Sequence, residues 1–228
     1  MAFSPCQPIG IFLNDLWIIV ISWLRKGPLW EAVPTAGTSL AERFTMSSNA
    51  EENPDQAPAE MTDLWRKAVV FAARAHRGMR SEKLDAPYIA HPVRVAMSVM
   101  LDFGCDDPRV LAAALLHDVV EKSEYGLEEI SAVFGGAVAS WVLALSKAPG
   151  ENKDSYWKGV GKSPWQVRLI KSADALDHLD CPPEERAARI KSVEKAILLL
   201  GTDEPPVRQA RGILQDVVRQ TPSPSDRQ

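Results

Sequence analysis

An imidazole and a carboxylate stand side by side at His117 and Asp118, inside the apolar run Ala112-Ala-Ala-Leu-Leu-His-Asp-Val-Val-Glu121. Burying that pair beside Leu115, Leu116 and Val119 is costly unless a metal ion or another polar partner satisfies it, and both groups can reach one divalent cation. Matching donors occur elsewhere, a second histidine in Tyr88-Ile-Ala-His91-Pro92 and a second aspartate in Ile170-Lys-Ser-Ala-Asp174. Two His and two Asp make a mixed N/O set that suits Mn, Fe, Zn or Co and leaves positions for water and substrate. Cys6, Cys105 and Cys181 show no paired spacing, so thiolate ligation is not expected. These residue types predict an enzyme.

In a helix continuing past the pair, Glu121 shares a face with His117 at i+4 and with Asp118 at i+3. It is then placed either as a general base beside a metal-activated water or as a solvated helix-end glutamate. Asp174, Asp177 and His178 likewise share one face, with Asp174 on the interior side of a segment whose apolar members are Val167, Ile170, Ala173, Leu176 and Leu179. His91 has an alternative reading as a capping or packing residue. Arg74, His76, Arg77 and Arg80 bunch together, as a surface patch or as a phosphate-holding group for which the planar arginine fork is well suited. No P-loop or dinucleotide glycine pattern is present, so phosphate must be held by side chains and metal.

The elements that position these groups read as helices. Leu64, Ala68, Phe71, Ala72 and Ala75 recur at helical spacing from Met61 onward. A second helix starts at His91 with Pro92 in its first turn and runs through Val95, Val99 and Met100. A third follows Asp106-Asp107-Pro108 and carries the His117–Asp118 pair. A short helix from Gly126 stops near Gly135-Gly136, another spans Val138 to Leu145, and Pro149-Gly150 breaks the chain. Residues 150 to 159 are expected to turn between helices, with Tyr156 and Trp157 either stacking on a base or covering the core. Further helices span Trp165 to Leu179, Glu184 to Leu200 and Val207 to Val218. With no period-two alternation, the expected fold is all-α.

Residues 1 to 60 read as a separate, flexible extension. An apolar stretch at 9 to 24 is broken by Asn14 and Asp15 and falls short of the roughly 20 residues needed to cross a bilayer. The polar, acidic segment from Thr45 to Glu60 resembles a natural N-terminus, so that Met46 is an alternative start. Residues 61 to 200 form the expected catalytic domain, of a size that supports one core, and 201 to 228 a terminal helix and disordered tail. With 26 Lys and Arg against 30 Asp and Glu, the net charge of −4 gives no field for nucleic acid or an anionic membrane. The expectation is a cytoplasmic protein with a phosphorylated small molecule as partner and no stated oligomeric state.

Taken together, these segments resemble a known family. His91, the His117–Asp118 doublet and Asp174 look like the metal-binding signature of the HD superfamily. More narrowly, Phe71-Ala-Ala-Arg74-Ala-His76-Arg-Gly, Pro87-Tyr-Ile-Ala-His91-Pro92, Ala113-Ala-Leu-Leu-His117-Asp118-Val-Val-Glu121, Phe134-Gly135 and Lys171-Ser-Ala-Asp174 resemble, in order, the hydrolase domain of the RelA/SpoT group and its small stand-alone relatives. The resemblance spans roughly residues 62 to 200. It implies a compact HD-type helical bundle with the metal site between helices, and Mn²⁺-dependent removal of the 3′-diphosphate from guanosine 3′,5′-bis(diphosphate), the alarmone (p)ppGpp. It also implies that His91, His117, Asp118 and Asp174 hold Mn²⁺ or another divalent ion, that Glu121 and Asp118 act in catalysis, and that Arg74 contacts substrate. Arg77, Lys122 and His178 join the expected substrate contacts. Lys122 departs from the family, which has an acidic residue there, and His178 stands where the family has asparagine. A phosphohydrolase for another ester, or a nucleotide-binding regulatory domain with impaired catalysis, are the alternatives these departures raise.

Overall fold

Helix α3 (Pro108–Leu116) is the organising element, and its composition explains why. Every one of its residues except Arg109 is buried, and Ala112, Ala113 and Ala114 let neighbouring helices approach closely. Asp107 starts the helix, its side chain accepting from the Arg109 N–H at 2.9 Å, and Pro108 occupies the first turn where a missing N–H costs little. The computed structural model describes residues 57–81 and 85–221. The apolar segment at 9 to 24, the alternative start at Met46 and the tail after residue 221 lie outside the described residues.

Around α3 pack α1 (Ala57–Ala75), α2 (Ala90–Met97), α5 (Leu127–Leu145) and α7 (Trp165–Asp177). Helix α2 starts one residue before His91 and passes into a π-helical segment, Ser98–Asp102. The short α4 (Val119–Lys122) follows α3, α6 (Lys153–Lys162) lies between α5 and α7, and α8 (Pro183–Leu199) and α9 (Pro205–Gln220) pack against α7. The all-α expectation holds, with one small exception: β1 (Arg80–Ser81) and β2 (Ala86–Pro87) pair antiparallel, Arg80 opposite Pro87. This hairpin leads directly into Tyr88 and the start of α2, and Tyr88 N–H donates to Met79 O at 2.9 Å.

Two local expectations are corrected and one is met. The helix carrying His117 and Asp118 is not continuous: α3 ends at Leu116, His117 caps it, and Asp118 sits in the turn before α4. The break at Gly135-Gly136 is present as a kink inside α5, where Gly135 has φ 82°, a conformation that favours glycine. Residues 153 to 162 form a helix rather than a turn, capped by Asn152 and anchored by buried Tyr156, Trp157 and Val160. Tyr156 and Trp157 therefore cover the core, and the Tyr156 hydroxyl donates to Leu145 O at 2.7 Å.

Among the described residues, α5 is the one helix long and apolar enough to cross a membrane, but Gly135 bends it and Ile130, Phe134, Val138 and Val142 are buried in the core. Phe71 is 2% exposed and packs its ring 5.0 Å from Tyr125 and 5.5 Å from Phe134, centroid to centroid. Phe71→Ala removes this α1–α5 contact and leaves a cavity, so urea unfolding is expected to show a loss of about 3–5 kcal/mol. A loss below ~1 kcal/mol would mean that α1 is not part of the cooperative unit.

Candidate metal centre and active site

The turn at His117–Asp118 exists where four donors meet. His91 Nε2 lies 3.3 Å from Asp174 Oδ1 and 3.6 Å from Asp118 Oδ2, and His117 Nε2 lies 3.5 Å from Asp118 Oδ2 and 3.8 Å from Asp174 Oδ1. They come from the first turn of α2, the end of α3, the following turn and the buried face of α7. A continuous helix through 118 would carry Asp118 away around the helix axis from His117; the turn brings both side chains to one point.

The tautomers can be read from the hydrogen bonds. His117 Nδ1 faces the Ala114 carbonyl at 2.7 Å, and because a carbonyl only accepts, Nδ1 carries the proton and Nε2 presents its lone pair. His91 Nδ1 lies 2.7 Å from Asp177 Oδ2, which fixes its ring the same way. Both Nε2 atoms are buried without a hydrogen-bond partner among the described residues. Two unpartnered imidazole nitrogens beside two carboxylate oxygens fit a divalent cation by donor type, by number and by direction. A second grouping of His91, Asp174 and His178 shares two of these residues.

An outer ring holds the donors in place. Arg94 clamps Asp177 with Nε at 2.6 Å and Nη2 at 2.8 Å, so the order is Arg94, Asp177, His91. Tyr88 donates its hydroxyl to Asp118 Oδ2. Lys171 Nζ donates to Asp174 Oδ2 at 2.7 Å, and His178 Nδ1 lies 3.0 Å from Asp174 Oδ1. Sequence reading aligned Asp177 with Asp174 but gave it no partner, and it passed over Tyr88, Arg94 and Lys171. Tyr88 lay in a motif already singled out, and Lys171 one turn before Asp174; Arg94 carried no local signal. Asp177→Asn weakens the hold on His91 and is expected to lower divalent-metal affinity 10- to 100-fold, as calorimetry would show, with helical content unchanged. Unchanged affinity would remove Asp177 from the centre.

The charges of the site oppose burial at each position. Burial pushes the Asp174 carboxyl up, but Lys171, His178 and His91 outweigh it and hold it well below the usual carboxylate range. Asp118 is lowered in the same way, burial being overcome by His117, Lys122 and the Tyr88 hydroxyl. For His91 burial disfavours the cation, yet the neighbouring carboxylates of Asp174 and Asp177 raise the imidazole from 6.5 to about 9. The metal-free fold therefore draws stability from this proton below pH 6.5 and loses it as pH rises through about 9. A cation reverses the sign, because it needs the neutral imidazole. Metal affinity is expected to increase from pH 6.5 to 9 with release of a proton, measured as the buffer dependence of the binding heat. A pH-independent affinity would contradict direct ligation by His91.

The donors open into a cavity of about 300 Å³. Glu121, Lys122 and His178 line it, as do Tyr88, Tyr156, Trp157 and Lys171. Glu121 Oε2 accepts from the Lys147 N–H at 3.0 Å, and Lys122 Nζ lies 3.8 Å from Glu121 Oε1 and 5.6 Å from the centre of the Tyr88 ring. Arg74 and Arg77 do not border this cavity; they line a neighbouring one of about 500 Å³ with Met79, Ser123, Glu124 and Tyr125.

A helical fold that gathers two imidazoles and two aspartates from three helices and the turn after one of them into one cavity is an HD-type metallohydrolase fold. The family model described as HD domain matches residues 68–200. The zebrafish (Danio rerio) guanosine-3′,5′-bis(diphosphate) 3′-pyrophosphohydrolase MESH1 is 34% identical over 137 residues, covering 56% of this chain and 76% of that protein. Its human counterpart is 35% identical over 127 residues, covering 52% and 71%. The GTP pyrophosphokinase of Streptomyces coelicolor is 36% identical over 122 residues, but these are only 14% of its length. A solved structure described as a metazoan ortholog of SpoT that hydrolyzes ppGpp superposes with a TM-score of 0.58 at 26% identity, covering 68% of this chain and 95% of that one. The chain belongs to the HD-domain family, on its RelA/SpoT-type (p)ppGpp hydrolase branch.

Proposed function

We propose that this protein is a metal-dependent guanosine-3′,5′-bis(diphosphate) 3′-pyrophosphohydrolase. The observation that carries the reading is the pair of buried, unpartnered Nε2 atoms of His91 and His117 facing Asp118 and Asp174, in a chain whose relatives bear that activity in their names. His91, His117, Asp118 and Asp174 hold the ion, with Mn²⁺ the preferred one. A divalent cation there supplies Lewis-acid charge at the phosphoryl group and lowers the pKa of the attacking water.

The side chains supply the rest. Glu121, fixed by the Lys147 N–H, takes the proton from the water as its oxygen bonds to phosphorus. The bond from phosphorus to the 3′-oxygen breaks, and that oxygen takes a proton from water, leaving pyrophosphate and GDP with its 3′-hydroxyl restored. Lys122 and His178, both on the cavity wall, stabilise charge on the phosphoryl oxygens. Arg74 and Arg77 border the cavity lined by Ser123 and Glu124, the residues that follow Lys122 in the chain, and they contact the part of the substrate that extends beyond Lys122. The residues 61 to 200 constitute the catalytic unit, working in the cytoplasm on a soluble guanine nucleotide.

A substrate and metal panel tests this reading. Rates with ppGpp, guanosine 3′-monophosphate and GTP are compared in Mn²⁺, Mg²⁺ and Zn²⁺, with orthophosphate and pyrophosphate resolved. The expected result is pyrophosphate from ppGpp, fastest in Mn²⁺. Orthophosphate alone, or faster turnover of a simple ester, would move the chain to another phosphohydrolase specificity.

A further inference from the structure

His76 takes no part in the chemistry above, yet it is only 3% exposed, one residue beyond the C-terminal end of α1. Burial pushes its imidazole from 6.5 down to about 4, with His117, Lys122 and His91 acting in the same direction and Asp118 against them, so the ring is neutral near neutral pH. A neutral imidazole offers one donor and one acceptor nitrogen, and neither has a hydrogen-bond partner among the described residues. What His76 presents to its surroundings is therefore a flat ring.

That ring meets Tyr88 edge-on, with centroids 5.0 Å apart and planes at 62°. The backbone makes the same connection, because Met79 N–H donates to His76 O at 3.1 Å and Tyr88 N–H donates to Met79 O at 2.9 Å. Tyr88 in turn touches two of the four donors. Its hydroxyl donates to Asp118 Oδ2, and its carbonyl accepts from the His91 N–H at 3.0 Å. A tyrosine hydroxyl lies at the far end of its ring, so a small turn about χ1 carries it off Asp118 unless a neighbour holds the ring in place. An imidazole edge supplies that hold without adding charge beside a cation site.

We propose that His76 is a positioning residue of the metal centre, whose ring holds Tyr88 so that the Tyr88 hydroxyl stays on Asp118 Oδ2, and that it acts through this aromatic contact and not through either ring nitrogen. His76 lines neither cavity, so on the hydrolase reading above, on which this role rests, it sets metal affinity and kcat and leaves the KM for ppGpp unchanged.

Three variants separate ring from nitrogen. His76→Phe keeps an aromatic ring and deletes both nitrogens, His76→Asn keeps polar atoms and deletes the ring, and His76→Ala deletes both. Mn²⁺ affinity of the full chain is measured by calorimetry, with helical content taken on the same samples, and kcat and KM for ppGpp are then determined. Losing the support of a metal donor costs about 10- to 100-fold in affinity, so a loss of about tenfold or more is expected for the asparagine and alanine variants and of less than about threefold for the phenylalanine variant. In a Tyr88→Phe background the hydroxyl is already gone, and His76→Ala should then cost less than about twofold more. Equal losses in the phenylalanine and alanine variants, wild-type affinity in all three, or the full alanine loss repeated in the Tyr88→Phe background would overturn the role. The phenylalanine and asparagine variants decide the matter if the alanine variant does not fold. The expected pattern of Mn²⁺ affinities in a protein that releases no pyrophosphate from ppGpp would leave the role of His76 standing and overturn the hydrolase reading instead.

Discussion

Asp118→Asn is expected to lower ppGpp turnover by about a thousandfold or more while the protein keeps its helical content. Asp118 Oδ2 lies within 3.6 Å of both His91 Nε2 and His117 Nε2 and accepts the Tyr88 hydroxyl, so its oxygen is one of four donors on a single point. The amide is nearly isosteric but neutral, and it withdraws a negative charge from a buried cation site where solvent compensates little. Losing a residue that only orients a metal donor costs about 10- to 100-fold, so losing charge on a donor itself costs more. The measurement is kcat at saturating Mn²⁺, with metal content determined on the same sample. Turnover within tenfold of wild type would show that Asp118 does not hold the ion.

Lys171→Met is expected to destabilise the metal-free protein by about 3–5 kcal/mol. Burial disfavours the Lys171 ammonium, yet Asp174 and the Tyr156 hydroxyl overcome it and hold the group well above its ordinary range. The ammonium also lies 5.0 Å from the centre of the Tyr156 ring and 5.5 Å from that of Trp157. Methionine fills the volume but leaves the 6% exposed Asp174 without its nearest cation. A divalent ion bound by Asp174 replaces much of that charge, so the penalty should shrink when metal is present. Urea unfolding in EDTA and in Mn²⁺ separates the two states. An equal loss in both would mean that Lys171 acts through packing and that Asp174 does not meet the metal.

The four residues that meet at the base of the cavity were legible in the sequence because their context made them improbable as ordinary side chains. Asp174 stands among Val167, Ile170 and Ala173, and His117 and Asp118 interrupt a run of alanine, leucine and valine. Burial among such residues requires a partner, and the structure supplies it. Most helices followed from apolar spacing, and the break at Gly135 from glycine itself.

What could not be read was set by tertiary contacts. The turn at Asp118 contains neither glycine nor proline, and the apolar run on both sides of it reads as one helix; the chain bends because both side chains are drawn to the same point. Helix α6 contains Gly159 and Gly161, residues that weaken helices, and is held by burial of Tyr156, Trp157 and Val160. Arg94, Lys147 and Lys153 resemble any surface basic residue along the chain, and only packing shows that the first clamps Asp177 while the other two border the cavity. Arg74 and Arg77 cluster in sequence near a motif, yet packing sets them on the adjacent cavity.

The most direct test of the central claim is product analysis of ppGpp incubated with the purified full chain, followed by phosphorus NMR with Mn²⁺ present and then with EDTA. One pyrophosphate released per GDP, dependent on the divalent ion, is the expected result. No release by a folded, metal-loaded protein would contradict the claim and show that Lys122, at the position where the family has an acidic residue, has removed this activity from the fold.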